Sequence, residues 1–328
     1  MILIITNKED THITPVIEIL NNEKIPVFRL NTEALLTDYE FSWWNDNRSC
    51  DFHIRSLQNG LEVRGSEITA VWDRRPEPPE ELPIKSSPQI DKHNLAEALG
   101  FLVFLRYYLK DIPSIGSIVN DRPASSKMLQ YKYALKVGFT VPESLYTNRK
   151  GNIGILASKY GQLLFKSIEN DDIWDEENLQ DYVFYARKVS SETVLAAPDE
   201  AFSQTVSFAQ NYVDKEFELR VTAVGEKVFA CRINSQAMTD DTGKIDWRQG
   251  YDYGLEQEAF DLPIGISDKC LEYLRLMGLN FGCFDFIVTP SGEYVFLECN
   301  PNGQWLWVEL ATGLKISEAI ADFLMNHL

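Results

Sequence analysis

The residues best suited to chemistry lie in one stretch, FGCFDFIVTPSGEYVFLECNPNGQWLWVE, from Phe281 to Glu309. Two runs rich in Phe, Val, Ile and Tyr flank Thr289-Pro290-Ser291-Gly292, which predicts an antiparallel hairpin. A turn symmetric about Ser291-Gly292 sets Asp285 directly across from Glu298, with Cβ atoms about 4.5–5.5 Å apart. Asn300, two residues beyond Glu298, returns to the same face. Two carboxylates and an amide oxygen, with no Cys or His among them, make a hard-oxygen site. That chemistry suits Mg²⁺ or Mn²⁺ and not Zn²⁺. A solvated polar face is the plainer reading, but opposed carboxylates repel unless a cation sits between them.

Separated basic residues join this set: Lys127, Lys166, Arg220, Arg232 and Arg248. Each alone reads as a surface charge. Beside a metal site, they supply the charge that neutralises a triphosphate in phosphoryl transfer. Lys166 ends the apolar run GQLLFK, and Arg248 follows a tryptophan in IDWR, an apolar neighbour that could hold its guanidinium in a partly dry pocket. There is no P-loop, no GxGxxG after the first strand, no GxSxG and no HExxH. The four histidines are scattered, which speaks against a histidine-centred mechanism.

The elements that must position these groups can be read in order. Met1 to Thr6 is a buried-strand run, Thr14-Pro15 opens a helix, and Ile25 to Leu30 is a second strand, so the chain begins as an α/β unit. Phe41 to Val63 reads as antiparallel strands turning at Asn59-Gly60. Ile68 to Trp72 is another buried strand and ends in Asp73-Arg74-Arg75. Those two arginines either hold an anion or edge a solvated loop. A helix covers Asp91 to Lys110. A boundary falls near Val119, and Ser125 or Ser126 caps a helix from Lys127 to Val137 that Gly138 closes. An acidic loop, Glu169 to Glu177, precedes a hairpin from Tyr182 to Ala197 and an acidic turn at Asp199-Glu200. A third lobe starts near Ser207, with strands Ser207 to Val213, Phe217 to Val224 and Lys227 to Ile233. Ser317 caps a final amphipathic helix.

The length of 328 residues allows two or three lobes around a cleft. A net charge of -18 disfavours a nucleic-acid partner, which would require clustered Lys and Arg. Five scattered cysteines without CxxC spacing predict free thiols and a reducing cytoplasm. The opening residues carry no basic stretch or cleavage signal. The longest apolar stretch, Ala98 to Leu109, is too short to span a bilayer and contains Arg106, so no membrane role is expected.

The order of a helix-borne lysine, a strand-end lysine, a hinge strand, ELRV, Asp-Trp-Arg and D…E-x-N on a C-terminal hairpin resembles the ATP-grasp superfamily. VWDRRP (Val71 to Pro76), FELRVTAVGEKVFACRINSQ (Phe217 to Gln236), IDWR and FLECNPNGQWLWVE resemble its peptide-modifying group, the microviridin-type or graspetide macrocyclases. The resemblance spans nearly the whole chain. It implies an ATP-grasp fold of α/β lobes: a pre-ATP-grasp domain over residues 1–119, a central lobe over 120–206 and a C-terminal lobe over 207–328. ATP would lie between the last two. It further implies that Lys127 and Lys166 hold nucleotide phosphates, that Gln210, Asn211, Tyr212 and Val213 receive adenine through main chain, and that Glu218 binds ribose. Arg220 and Arg248 would grip the transferred phosphate, and Asp285, Glu298 and Asn300 would hold magnesium. The implied partner is a ribosomal precursor peptide. Its helical leader would dock on the region of Tyr182 to Ala197 with Asp199 and Glu200, and its Asp or Glu carboxyls would be joined to Thr or Ser hydroxyls or Lys amines. A homodimer is also implied. Two rival readings are a ligase acting on small molecules or a protein C-terminus, and a nucleotide-binding module without catalysis.

Overall fold

The computed structural model describes residues 1–169, 172–175, 180–238, 241–249 and 255–327. The opening βαβ pattern builds an all-parallel sheet in the order Val27–Asn31, Ile2–Thr6, Ala70–Asp73, Ser114–Ile115. Alternation sends Ile2, Ile4 and Trp72 to one face, in a core with the helix Ile13–Asn22. Leu3, Ile5 and Val71 go to the other, against the helix Pro88–Tyr108. Both faces are covered, which is why the first strand is apolar from Ile2 to Ile5. The last helix, Ile316–Met325, packs into the first of these cores together with Phe281, Cys283 and Trp305. The two ends of the described chain therefore share one hydrophobic core. Strands Tyr39–Asn45, Cys50–Ser56 and Glu62–Arg64 form the expected antiparallel appendage.

The central sheet has the order Arg187–Ser190, Gln162–Lys166, Ser207–Asn211, Ser144–Thr147 and is antiparallel. Helices Lys150–Tyr160 and Ser191–Ala196 cover one face through Ile153, Leu156, Ala157 and Val194. Three expectations change here. Tyr182 to Ala197 is not a hairpin: Gln180–Val183 pairs with Asp172–Asp175, and Arg187–Ser190 pairs with Gln162–Lys166. The strand stops because the Ser190 hydroxyl accepts from Thr193 N at 3.3 Å and caps a helix. The acidic loop contains the strand Asp172–Asp175. Asn170, Asp171, Glu176 and Glu177 of that loop lie outside the described residues. Finally, Ser207–Asn211 adds to the central sheet and not to the one that follows.

The third sheet is antiparallel with the order Gln257–Ala259, Lys227–Ile233, Phe217–Val224, Phe281–Val288, Tyr294–Asn300. Phe217–Val224, at its centre, is buried at every position. Phe284, Phe286 and Phe296 pack on one side with Tyr131 and Ala134 of the helix Lys127–Lys136 and Tyr273 of the helix Ile264–Met277. Ser126 precedes its helix as expected, although its side chain makes no capping bond. Ser317 lies inside the last helix instead of capping it, and its hydroxyl donates to Glu309 at 2.8 Å. All five cysteines are free thiols. No helix among the described residues is long and apolar enough to cross a membrane.

Candidate functional site

The hairpin Phe281–Val288 with Tyr294–Asn300 presents two different faces. Phe284, Phe286, Phe296 and Cys299 enter the core, whereas Asp285, Leu297 and Glu298 line a cleft. Two consecutive residues, Leu297 and Glu298, face the same way because the ladder slips between Asp285 and Phe286. Val288 pairs with Tyr294 and Phe286 with Phe296, but Asp285 pairs with Glu298. Leu297 is the extra residue of a bulge. The expected pair is present, though it arises from the bulge and not from a turn symmetric about Ser291-Gly292.

Arg220 stands opposite Asp285 on the neighbouring strand. Its Nη1 donates to Asp285 Oδ1 at 2.8 Å and Oδ2 at 2.9 Å, and its Nη2 to the main-chain oxygen of Gln304 at 3.1 Å. It sits behind the carboxylate and is not a lining residue of the cleft. Burial pushes the Asp285 carboxyl up to about 6, with Arg220 pulling against this and Glu298 adding to it. Burial also opposes ionisation of Glu298, but the cations Lys127, Lys166 and Arg248 outweigh it and hold that carboxyl below its usual range. Lys127 Nζ lies 3.8 Å from Glu298 Oε2 and donates to the Ser167 oxygen at 3.3 Å. Burial lowers the Lys166 ammonium, while the charge of Glu298 raises it.

On the far wall, Arg248 Nε and Nη2 donate to Asp246 Oδ1 and Oδ2 at 2.9 and 2.7 Å, a two-pronged pair. Asp246 is buried, and the Arg248 side chain is 47% exposed. The guanidinium is therefore steadied by a carboxylate, where the sequence suggested an apolar neighbour. Where the chain leaves the central sheet, Gln210 Nε2 donates to Tyr131 Oη and to Ser144 Oγ, and Asn211 Oδ1 accepts from Glu143 N. Gln210 Nε2 and Asn211 Oδ1 are thus tied to the scaffold, as are the main-chain N–H groups of Asn211 and Tyr212, which donate to the Glu143 and Gln162 oxygens at 3.0 and 3.3 Å. Tyr212 lies under the Lys188 ammonium, 3.6 Å from the ring centroid. Glu218 accepts from Lys215 Nζ at 2.8 Å, and the same lysine donates to the Ile245 oxygen at 3.0 Å. Both charges are buried.

Lys127, Lys166 and Arg248 thus share one cleft with Asp285, Glu298, Glu218 and the segment Gln210, Asn211, Tyr212 and Val213, with about 940 Å³ between its walls, open solvent at the mouth included. Asn300 ends its strand exposed, opposite Cys283, with its Oδ1 accepting from Asn302 N at 2.9 Å. Asp199 and Glu200 lie outside the cleft: Asp199 is exposed, 3.6 Å from Lys150 Nζ. The sequence reading missed Lys215 and the role of Asp246 as partner to Arg248. A lysine three residues before Glu218 and an acid two before Arg248 were the available signals.

Among the described residues, no group of three or more His, Cys, Asp or Glu could hold a metal by itself. Asp285, Glu298 and Asn300 offer oxygen donors only. Such a set fits Mg²⁺, which keeps much of its shell for phosphate oxygens and water.

Residues 1–121 match the family described as MvdD pre-ATP grasp domain. No curated protein matches the chain. Among solved structures, the chain is 26% identical to the macrocyclase MdnC of Microcystis aeruginosa, bound with precursor peptide MdnA, covering 99% of each chain at a TM-score of 0.82. It is 25% identical to a Chryseobacterium gregarium RiPP-associated ATP-grasp ligase in complex with ADP and a leader and core peptide. That match covers 100% of this chain and 97% of the other at a TM-score of 0.89. The macrocyclase MdnB of Microcystis aeruginosa is 26% identical over 98% of each chain, at a TM-score of 0.76.

Proposed function

We propose that this chain, an ATP-grasp ligase, closes rings within a ribosomally made precursor peptide. One observation carries the reading: a single cleft gathers the opposed pair Asp285 and Glu298 with the cations Lys127, Lys166 and Arg248. A site that binds only a neutral or cationic ligand has no need of three cations around a carboxylate pair. The peptide-bound neighbours of the same fold support the choice of substrate.

In this reading the nucleotide lies between the central sheet, which runs through Asn211, and the sheet that starts at Phe217. Lys127 and Lys166 meet its phosphates. The main chain of Gln210 to Val213, which lines the cleft, receives adenine. Glu218, steadied by Lys215, faces ribose. Asp285, Glu298 and Asn300 hold Mg²⁺ or Mn²⁺, which when bound cancels charge on the phosphate oxygens. A side-chain carboxylate of the peptide attacks the terminal phosphorus and ADP leaves, giving an acyl phosphate. Arg248 grips that phosphate with a guanidinium already aligned by Asp246. A Thr or Ser hydroxyl then attacks the acyl carbon to give an ester, or a Lys amine to give an amide. Phosphate leaves, and the attacking group gives up its proton. The protein needs no nucleophile of its own.

The test is co-expression with a candidate precursor rich in Thr and Asp or Glu, followed by mass spectrometry. Each ring closed removes one water from the peptide, and ADP release depends on adding that peptide. An unchanged peptide mass in the presence of ATP and Mg²⁺, or peptide-independent turnover of a small carboxylate, refutes the reading.

Leader docking would use the segment beside the cleft, which Phe184 itself lines. Tyr182, Val183, Phe184 and Tyr185 are exposed and could receive the apolar face of a helix. Val194, expected to join them, is buried in the central core. Asp199 and Glu200 would pair with a basic residue of the leader. Because such pairs are exposed, each is worth about 0.2–1 kcal/mol, so Asp199→Ala with Glu200→Ala weakens precursor affinity roughly thirty-fold at most. The loss shrinks with added salt. Equal dissociation constants for the two proteins at low salt place the leader elsewhere.

A further inference from the structure

Arg74 and Arg75, at the end of the strand Ala70–Asp73, do not line the cleft. Arg74 is buried and does not edge a solvated loop. Its side chain is 1% exposed, its Nε lies 3.3 Å from Asp10 Oδ2, and its Nη1 donates to the main-chain oxygens of Asn302 at 2.6 Å and Gly303 at 3.2 Å. Arg75, at φ 48°, donates to the same Asn302 oxygen at 3.3 Å. Asp121 holds this turn from another side by accepting from the Asn302 side-chain amide, and Arg220 takes the next carbonyl, that of Gln304. There is no slack beneath it: a Cβ on Gly303 would stand 2.4 Å from Cys283 Cβ.

One bond ties this turn to Asn300, two residues beyond Glu298 on the same face of the hairpin. Asn302 N donates to Asn300 Oδ1, which fixes the rotamer of that amide and leaves its oxygen a second lone pair. Removing a guanidinium from water is costly, and a neutral turn at a surface does not require one. We propose that Arg74 is a positioning residue for the metal. By fixing the carbonyls of Asn302 and Gly303, it keeps Asn302 N on Asn300 and so aims the amide oxygen at the ion held by Asp285 and Glu298. The inference rests on reading Asn300 as a metal ligand. It gives the N-terminal domain a hold on the metal site without touching nucleotide or peptide.

Two variants test it: Arg74→Met combined with Asp10→Asn, which leaves no carboxylate buried alone, and Arg74→Lys. Mn²⁺ is titrated into the enzyme–ADP complex and followed by electron paramagnetic resonance, which reads metal affinity without turnover. Outer partners of metal ligands are typically worth ~10–100-fold in affinity, and a loss of that size is expected for the double variant. Arg74→Lys, reaching one carbonyl and not two, falls between it and wild type. ADP affinity without metal stays the same. A double variant that melts at lower temperature yet binds Mn²⁺ like wild type makes Arg74 a structural clamp only and overturns the proposal. Should that variant fail to fold, Arg74→Lys keeps a cation beside Asp10 and decides alone: wild-type Mn²⁺ affinity overturns the proposal. Wild-type enzyme that binds no Mn²⁺ with ADP removes the metal reading itself, and the proposal with it.

Discussion

Replacing Glu298 by glutamine is expected to abolish ring closure, with a loss well beyond the ~10–100-fold typical of residues that only support a metal ligand. The amide keeps the shape of the side chain and removes one negative charge from the ion. It also removes the carboxylate that Lys127, Lys166 and Arg248 surround. The two consequences have opposite signs for ATP. Binding in the presence of a chelator should hold or tighten, because the lysines lose their internal counter-charge, while turnover with Mg²⁺ disappears. Precursor affinity stays near wild type. Calorimetry with and without metal, beside a ring-closure assay, separates these outcomes. Wild-type turnover at matched magnesium sinks the assignment of Glu298.

Arg248→Ala is expected to lose ~10³-fold or more in both ADP formation and ring closure, the scale of arginines that stabilise phosphoryl transfer. Arg248→Lys recovers little, since an ammonium keeps the charge but lacks the planar fork that engages Asp246 on one side and a phosphate on the other. The alanine also leaves buried Asp246 facing fewer cations, a structural effect to be separated from the chemical one. Asp246→Asn with Arg248→Ala resolves this. The double variant regains thermal stability but not activity if Arg248 acts on phosphate. A lysine variant as active as wild type means that Arg248 serves as a general positive charge.

The carboxylate pair was legible because a hairpin has a period of two, which sets Asp285, Glu298 and Asn300 on one face. Its correct register was reached without the feature that produces it. Strict alternation from Phe296, in the core, would send Glu298 to the core as well, and the bulge at Leu297 restores it to the cleft. A bulge leaves little trace in composition, which is why the sequence could not announce it. Arg220 and Asp285 were both singled out, but not as partners. Their contact depends on Phe217–Val224 lying next to Phe281–Val288, a pairing between distant strands that no local pattern encodes. The misread Tyr182 to Ala197 is a local failure. Ser190-Ser191-Glu192-Thr193 carries a helix-capping signal that outweighed its β-branched residues. Lys215 went unnoticed because a lone lysine in a polar stretch looks solvated until its burial is known.

The joining of the first sheet to the last helix in one core sets a timetable for this chain's synthesis. Ile2, Ile4 and Trp72 share their core with Ile316, Ile320 and Leu324. At ~5–20 residues per second, the ribosome delivers that last helix roughly 10–40 s after residue 121 has been made. Until then the N-terminal domain, though separable as a sequence family, lacks part of the apolar cover of one sheet face. A truncated chain ending at residue 121 would carry the same uncovered surface permanently. It should therefore need the C-terminal segment, supplied in cis or as a separate peptide, to stay dispersed in solution.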